Sequence, residues 1–550
     1  MAKKKKTTKS TTPTFVTTIP LKTGSWEEKK LEGKFFTAKQ LYNAFLGEGL
    51  KRLARMKADP LYKPTLKKYR AATQRLRKNE KDKKAKAKLA EAKAVFKELN
   101  IAYSFSEYSL HHWGKRFTKT WLNIGADAVQ RMASGAFNSI TRYVYLSAGR
   151  PRYKGKRGVQ SIEAKKNAIK LKDGIVTFGE IAMPLISDPE DAIHLHGLNS
   201  KLKFLRIVRK PYGGRYRYFV QLVSEGKPYQ KPKNKIGSGK LCIDVGPQTV
   251  ATVSVDNKQA RIDLFADGIE IEKKKQTVVQ RQISRQLRAA NPECFEADRW
   301  EKKDKYFVRK KGKVKKGVPM KNRSMNLKQN FIELQDKERM ITKHRKDLHG
   351  ELANKIISIG TKVVTENISI KGFQKLYGKS IGNRAPGLFL EILNRKAENA
   401  GGSMEKFSTR ITMLSQVCHC GSTVKKPLTQ RWHECEVCGA VAQRDLYSAY
   451  LGNFVESNKL IASGAASHWK EMDIILRSAM GNLKSSSEGH YPTSMGVTRV
   501  DRPSVYGGNA VGQRRSSGKS GETNCTEAGS SNIERRGFVG NLPEPHALQP

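Results

Sequence analysis

Acidic residues are scarce in this chain. Its 550 residues carry 50 Asp and Glu against 105 Lys and Arg, a formal net charge of +55 at pH 7. Solubility needs far less, so the imbalance points to a polyanion as partner, because each phosphate neutralised by a cation releases counterions. A merely solvated basic surface, or one packed as in a ribosomal protein, is the alternative. Long apolar runs are missing too. None reaches the length that spans a bilayer, which argues against a membrane as the anionic partner. Lys3 to Lys6 look like the opening of a signal peptide, but Thr7 to Thr12 is polar where an apolar core would follow, so a cytosolic protein is expected. Cysteines number seven. Cys242, Cys294 and Cys525 are scattered and odd in number, which argues against a disulfide framework.

The other four cysteines fall within twenty-one residues. Cys418-His419-Cys420-Gly421 is followed, after the fourteen residues Gly421 to Glu434, by Cys435-Glu436-Val437-Cys438-Gly439. Two close pairs, each followed by glycine, have the form of a zinc ribbon: thiolates bind zinc tetrahedrally, and two tight turns bring four of them to one ion. Glycine after each pair lets the backbone curl so that its N–H groups face the sulfurs. The first pair is one residue shorter than the usual Cys-x-x-Cys, and His419 is an alternative ligand. Unrelated buried cysteines are the plainer explanation. A closed four-ligand site is structural, since it leaves no open position for substrate.

Length allows two to four domains. Residues 1–14 read as a basic, Thr-rich, disordered arm, and Phe15 to Leu21 as a strand. From Thr37 to about Tyr145 the pattern is helical: Leu41, Phe45 and Leu53 share a face, Pro60 and Pro64 divide two helices, and Val129, Met132, Ala136 and Ile140 mark another. Ser104-x-x-Glu107 has the form of a capping box. Lys78 to Lys93 is either a solvated helix or a phosphate-tracking face. Gly149-Arg150-Pro151-Arg152-Tyr153-Lys154-Gly155-Lys156-Arg157 is a loop, either a charged linker or a nucleic-acid contact combining backbone pairing with stacking.

Residues 168–224 switch to strands. Tyr216, Tyr218, Val220 and Leu222 alternate with polar residues, and Pro211-Tyr212-Gly213-Gly214 is the turn before them. Lys240 to Gly246, Thr249 to Val255 and Lys362 to Asn367 read as buried strands. Gln276 to Ala290, Leu327 to Ile356 and Pro386 to Ala400 read as helices. Glu405 to Thr409 is a strand leading into the ribbon, and Asp445 opens a last helix. Lys302 to Arg323, with eleven basic residues against one acid, is too rich in Gly and Lys to pack. Residues 485–550 carry seven basic and six acidic residues among Ser, Gly, Asn and Pro, so the tail is expected to be disordered and not the polyanion site.

Three acids stand out. Asp244 interrupts one apolar strand, Glu366 ends another, and Asp445 opens a helix just past the ribbon. An isolated acid at a strand end or helix start is usually just that. A carboxylate in a core strand, however, costs free energy unless a cation accompanies it. Three brought together would bind two hard divalent ions, Mg²⁺ or Mn²⁺, about 4 Å apart.

The order Asp…Glu…ribbon…Asp resembles the transposon-encoded TnpB (OrfB) family of RNA-guided nucleases, related to the compact type V CRISPR effectors. The resemblance rests on Ile243-Asp244-Val245-Gly246, on Thr365-Glu366-Asn367-Ile368 with Lys371-Gly372, on Ser415-Gln416 and Gln430-Arg431-Trp432, and on Gln443-Arg444-Asp445-Leu446-Tyr447-Ser448-Ala449. Gly149 to Lys154 is similar to the family's Pro-Arg-aromatic-Lys loop. The resemblance spans roughly residues 15–455 and is specific from 240 onward.

It implies a multidomain α+β protein. An RNase H-like (RuvC) α/β nuclease domain would have Asp244, Glu366 and Asp445 as its magnesium-binding catalytic triad. One structural zinc would sit on Cys418, Cys420, Cys435 and Cys438. Arg152, Tyr153, Lys154, Arg431 and Arg444 would contact nucleic acid. The implied domains are the arm 1–14, the opening segment of a β wedge domain 15–34, a helical recognition domain 35–147, the antiparallel β wedge 148–238, a first nuclease segment 239–411, the target-strand-binding zinc ribbon 412–440, a second nuclease segment 441–480 and the tail 481–550. The partners implied are a transposon-derived guide RNA and double-stranded target DNA cut beside a short adjacent motif, in a prokaryotic cytoplasm on the nucleoid. The sequence departs from the family in the shortened cysteine pair, in Pro247-Gln248, and in Gln443 where many members have an acid. The alternatives are a non-cleaving RNA- or DNA-binding regulator or transposition accessory protein, and a strand-joining transposase, for which no tyrosine or His-x-His recombinase motif accompanies the triad.

Overall fold

The computed structural model describes residues 12–481 apart from 80–81, 118–123, 146–147, 156–157, 165–167, 304–305, 424 and 427–429. The expected disordered arm, up to residue 11, and the expected disordered tail, from 482 on with Cys525, lie outside the described residues, as do Lys156 and Arg157.

Strand β1 (Thr14–Pro20) precedes five helices: α1 (Ser25–Ala58), α2 (Tyr62–Lys78), α3 (Lys83–Ala102), α4 (Glu107–Gly114) and α5 (Ala126–Tyr145). Helix α1 starts at Ser25, well ahead of Thr37. The Glu27 carboxylate accepts from the Gly24 N–H at 2.8 Å, and the first turns are rich in Lys and Glu, which hides their periodicity. It stops where Pro60 approaches. The cap of α4 is Ser106, not Ser104: its Oγ accepts from the Ser109 N–H at 3.1 Å. Helices α1 and α5 pack so closely that a side chain at Gly49 would meet Ile140 Cδ1 at 2.4 Å.

The β region is antiparallel. Strand β2 (Ser161–Ala164) is followed by the three-stranded sheet β3 (Ile169–Lys172), β4 (Ile175–Phe178) and β5 (Ile181–Pro184). After helix α6 (Ala192–Asn199), which interrupts the expected run of strands, come β6 (Leu202–Tyr212) and β7 (Arg215–Glu225). A second sheet has the order β1-β7-β6-β2. Gly213 and Gly214, at φ 54° and 83°, form the two-residue turn between β6 and β7. Tyr218, Val220 and Leu222 are buried as the alternation predicts.

The rest of the chain is built on a five-stranded mixed sheet. Strands β8 (Lys240–Val245), β9 (Thr249–Ser254) and β10 (Gln259–Leu264) are antiparallel. Helix α7 (Ile269–Ala290), the hairpin β11 (Arg299–Lys303) and β12 (Tyr306–Lys310), and helix α8 (Met325–Ile357) follow. Then β13 (Lys362–Glu366) lies parallel to β8. Helices α9 (Ile370–Leu376), α10 (Gly378–Arg384) and α11 (Pro386–Asn399) lead to β14 (Ser403–Phe407), which is parallel to β13. The sheet order is β10-β9-β8-β13-β14. Helix α12 (Thr409–Thr412), the ribbon strands β15 (Trp432–Glu434) and β16 (Val441–Gln443), helix α13 (Arg444–Gly452), the short pair β17 (Val455–Glu456) and β18 (Lys459–Leu460), and helix α14 (Ala462–Gly481) complete the order. Helix α14 lies beyond what was expected to be the last helix.

Alternation along β8 divides its neighbours. Leu241, Ile243 and Val245 pack under α8 and α11, against Leu352, Ile356, Phe389 and Leu393. Cys242 points the other way, into a second core with Leu446, Ala449 and Tyr450 of α13 and Met472 and Leu476 of α14. Helix α13 lies so close to this face that a side chain at Gly452 would stand 2.2 Å from Cys242 Sγ. Among the described residues no helix is long and apolar enough to cross a membrane.

Candidate active site and metal centre

Strand period 2 carries Asp244 to the same face as Cys242, the face covered by α13. Along β13, Val363 joins the core under α8 while Val364 joins the core under α13, so Glu366 shares that second face. The parallel register pairs Val364 with Cys242 and Thr365 with Ile243. One step further along both strands, Glu366 comes beside Asp244. Helix α13 presents Asp445 in its first turn and buries it.

Electrostatics ties the three together. Burial pushes the Asp244 carboxyl well above the ordinary carboxylate range; Glu366 and Asp445 push it the same way, while the Arg444 guanidinium opposes them. Burial raises Glu366 to about 7. It raises Asp445 as well, against the pull of Arg431 and Arg444 and a hydrogen bond from Gln443. Arg431 Nη1 and Arg444 Nε each lie 3.8 Å from Asp445 Oδ1. Two guanidiniums thus stand beside Asp445, while burial favours the protonated form of all three acids, a balance that a hard cation held there would tip toward the ionised forms. Among the described residues the three carboxylates do not form a group whose ligand atoms all lie within 4.8 Å of one another.

The group that does meet that spacing is Cys418, Cys420, Cys435 and Cys438. Cys418 and Cys438 sulfurs are 3.5 Å apart, and Cys420 and Cys435 sulfurs 3.7 Å. A tetrahedral Zn–S bond of about 2.3 Å sets sulfurs about 3.8 Å apart, so the four thiolates can hold one zinc ion. The shortened first pair still delivers both its sulfurs. Gly421 and Gly439 adopt φ of 88° and 71°, the left-handed curl expected after each pair. His419 is not one of this group; it stacks on Trp469 at 4.7 Å, its Nδ1 lies 2.8 Å from Tyr447 Oη, and its Nε2 lies 3.8 Å from Cys438 Sγ.

Three residues that sequence reasoning gave no role bind the ribbon to α13. Tyr447 Oη accepts from the His419 N–H at 2.9 Å and lies 3.2 Å from Cys418 Sγ. His433 of β15 stacks on the Tyr447 ring at 4.2 Å. Trp469 closes the group edge-on to Tyr447 at 5.3 Å. The signal available was slight: Tyr447 lies two residues past Asp445, within the stretch Gln443 to Ala449. Gln443, the departure from the family's acid, is the N-cap of α13, its Oε1 accepting from the Leu446 N–H at 2.8 Å.

The remaining candidates lie elsewhere. Arg152, Tyr153 and Lys154 are exposed on a loop held to α1. Lys154 N–H donates to Asn43 Oδ1 at 2.7 Å, and Asn43 Nδ2 donates to the Lys154 carbonyl at 3.0 Å. The structure thus groups Arg431 and Arg444 with the carboxylates and sets the Arg152 loop apart from them.

Residues 387–451 match the family model described as Cas12f1-like, TNB domain. That stretch contains the four cysteines and Asp445; Asp244 and Glu366 precede it. Curated proteins give no match. Similar solved structures include a Cas12f1–sgRNA–target DNA complex, at 13% identity and TM-score 0.40, covering 80% of this chain and 98% of that one. A CRISPR-Cas12f ternary complex aligns at 14% identity and TM-score 0.25, covering 78% and 85%. A mini-RNA-guided endonuclease, CRISPR-Cas phi3, aligns at 11% identity and TM-score 0.28, covering 62% and 59%. These likenesses are too distant to carry function, which rests on the chain's own residues.

Proposed function

We propose that the chain is an RNA-guided DNA endonuclease of the TnpB and compact type V kind, with Asp244, Glu366 and Asp445 as the catalytic acids of a RuvC-like domain. The observation that supports this is that Asp244 and Glu366 share one sheet face at one sheet end, with Asp445 in the first turn of the helix covering that face and a ribbon segment that matches the Cas12f1-like TNB model leading into it. The mixed sheet with helices on both faces supports the RNase H-like reading. The charge of +55 supports a nucleic-acid partner, and a transposon-derived guide with a short DNA motif beside the target is the partner set the resemblance implies.

Bound Mg²⁺ or Mn²⁺ would supply an activated water and stabilise the leaving oxygen. Asp244 and Glu366, fixed on adjacent strands, would bind such ions from the rigid sheet. Asp445 would complete the set from α13, with Arg431 and Arg444 holding its carboxylate in place. The raised proton affinity of the three acids makes occupancy by cations favourable as pH rises. Residue Tyr447 and the ribbon would fix the entry of α13 and exclude water behind it. Cytoplasmic action on the nucleoid belongs to the same proposal.

Asp244→Ala and Glu366→Ala variants should retain guide RNA on purification and lose cleavage of a matched DNA target. Wild-type cutting by either variant sinks the proposal. Unchanged biological effect of the non-cutting variants would instead favour a binding regulator.

A further inference from the structure

The segment from Lys302 to Arg323, expected to be too rich in Gly and Lys to pack, belongs to a built arm. Helices α7 and α8 run antiparallel, with His344 Nδ1 2.8 Å from Glu272 and Asn330 Nδ2 donating to Gln286 at 2.9 Å. At their far end the chain is locked. Asn291 Nδ2 donates to the Asn322 carbonyl and Asn322 N–H donates to Asn291 Oδ1, both at 2.9 Å. Asp298 accepts from the Gly312 N–H at 2.8 Å and from Arg309 Nε at 2.9 Å. The crossing is so tight that a Cβ on Gly312 would lie 1.7 Å from the Glu296 carbonyl oxygen.

This base presents the β11–β12 hairpin with no covering element among the described residues. Its register sets Trp300 opposite Arg309 and Lys302 opposite Phe307. Opposite residues share a face in an antiparallel pair, so one face alternates aromatic and cation, with the two rings on a diagonal. Trp300 and Phe307 are each 66% exposed. Glu301, the acid within the two strands, lies on the other face, where it pairs with Lys310. Residues 299–323 carry twelve Lys and Arg against two acids. A core-forming hairpin buries its aromatics, and an inert solvated one has little use for them. Flat exposed rings set among cations suit bases whose faces are free and whose backbone is anionic.

We propose that the β11–β12 hairpin is a binding arm for unpaired nucleotides, with Trp300 and Phe307 stacking on bases and the flanking lysines on phosphates. Strand β10 ends beside the start of β9, at the same sheet end as Asp244. Helix α7, 22 residues long, then spans about 33 Å. The hairpin therefore lies a full helix length along the chain from the sheet end that holds Asp244. The proposal rests on the nucleic-acid reading above but not on cleavage.

The test uses the full chain with Trp300→Ala/Phe307→Ala, and separately Lys302→Ala/Lys311→Ala. Binding of labelled unpaired RNA and DNA oligonucleotides and of a blunt duplex is followed by anisotropy across a salt series, with ultraviolet crosslinking to map the contact. The aromatic variant should lose about tenfold or more in single-strand affinity, keep its salt slope, and bind duplex within about twofold of wild type. The lysine variant should bind with a shallower salt slope. Wild-type protein should crosslink through the peptide holding Trp300 and Phe307. Unchanged single-strand affinity, an equal loss on duplex, or crosslinks confined to other peptides overturns the arm alone. Wild-type protein that binds none of the probes overturns the nucleic-acid reading as well.

Discussion

Replacing Glu366 by Gln should flatten the pH dependence of stability in the metal-free protein. Burial raises this carboxyl from 4.5 to about 7. A group raised on folding contributes its stability below its unfolded value, here about 4.5, and loses it as pH climbs through about 7. Linkage puts the loss at about 1 kcal/mol at pH 5 and about 3 kcal/mol at pH 8. The wild-type chain in EDTA should therefore weaken by about 2 kcal/mol across that window from this residue alone. Asp244, raised in the same direction and partly by Glu366 itself, adds to the slope. Glutamine keeps the shape and removes the titration, so Glu366→Gln should be the more stable protein at pH 8 and lack that part of the slope. Urea unfolding followed by circular dichroism, for both proteins at pH 5 and pH 8, measures it. Mg²⁺ should restore the wild type at pH 8 and do less for the variant. Parallel slopes in the two proteins would refute the picture of a dry, proton-hungry acid cluster.

The ribbon and its neighbours make further predictions. Cys438→Ser should lower zinc content from one ion per chain and speed hydrogen exchange in the first turn of α13, read by mass spectrometry, while wild-type protection in the zinc-free variant would separate the two. Tyr447→Phe removes the oxygen that accepts from the His419 N–H and should cost about 1–3 kcal/mol in unfolding free energy, because a buried donor is left without its partner. Gly452→Ala forces a methyl against Cys242 Sγ and should destabilise by about 1–3 kcal/mol. Adding Cys242→Ala should recover much of that loss, and a double-mutant cycle showing simple additivity would deny the contact.

The parts legible in the sequence share a physical trait: they bury one face or two. Lys240 to Val245 and Lys362 to Glu366 are short apolar runs bounded by turns, and both are strands. Helix α8 declared itself by a stripe from Leu327 to Ile356 and runs from Met325 to Ile357. Elements with little to bury were hidden. The first turns of α1 are charged, and the β11–β12 hairpin is exposed on both sides, so neither leaves a periodic trace. Helix α6 was masked by the strands around it. The three acids could be singled out because a carboxylate beside apolar strand residues is costly wherever it occurs.

What no local pattern could reveal is why the ribbon precedes Asp445. Tyr447 is the joint. Its ring packs on His433, its hydroxyl meets the backbone of His419 and the sulfur of Cys418, and it sits two residues after the acid on the same helix. Gln443 caps that helix from the last ribbon strand, and the Arg444 N–H donates to the Arg431 carbonyl at 2.8 Å across the ribbon's base. A cluster of four thiolates thereby sets the position and pitch of α13, and α13 sets Asp445 against the sheet that carries Asp244 and Glu366. A zinc ion held there would act on the acids through geometry alone: loosening it would move one carboxylate of three while the other two stay fixed in the sheet.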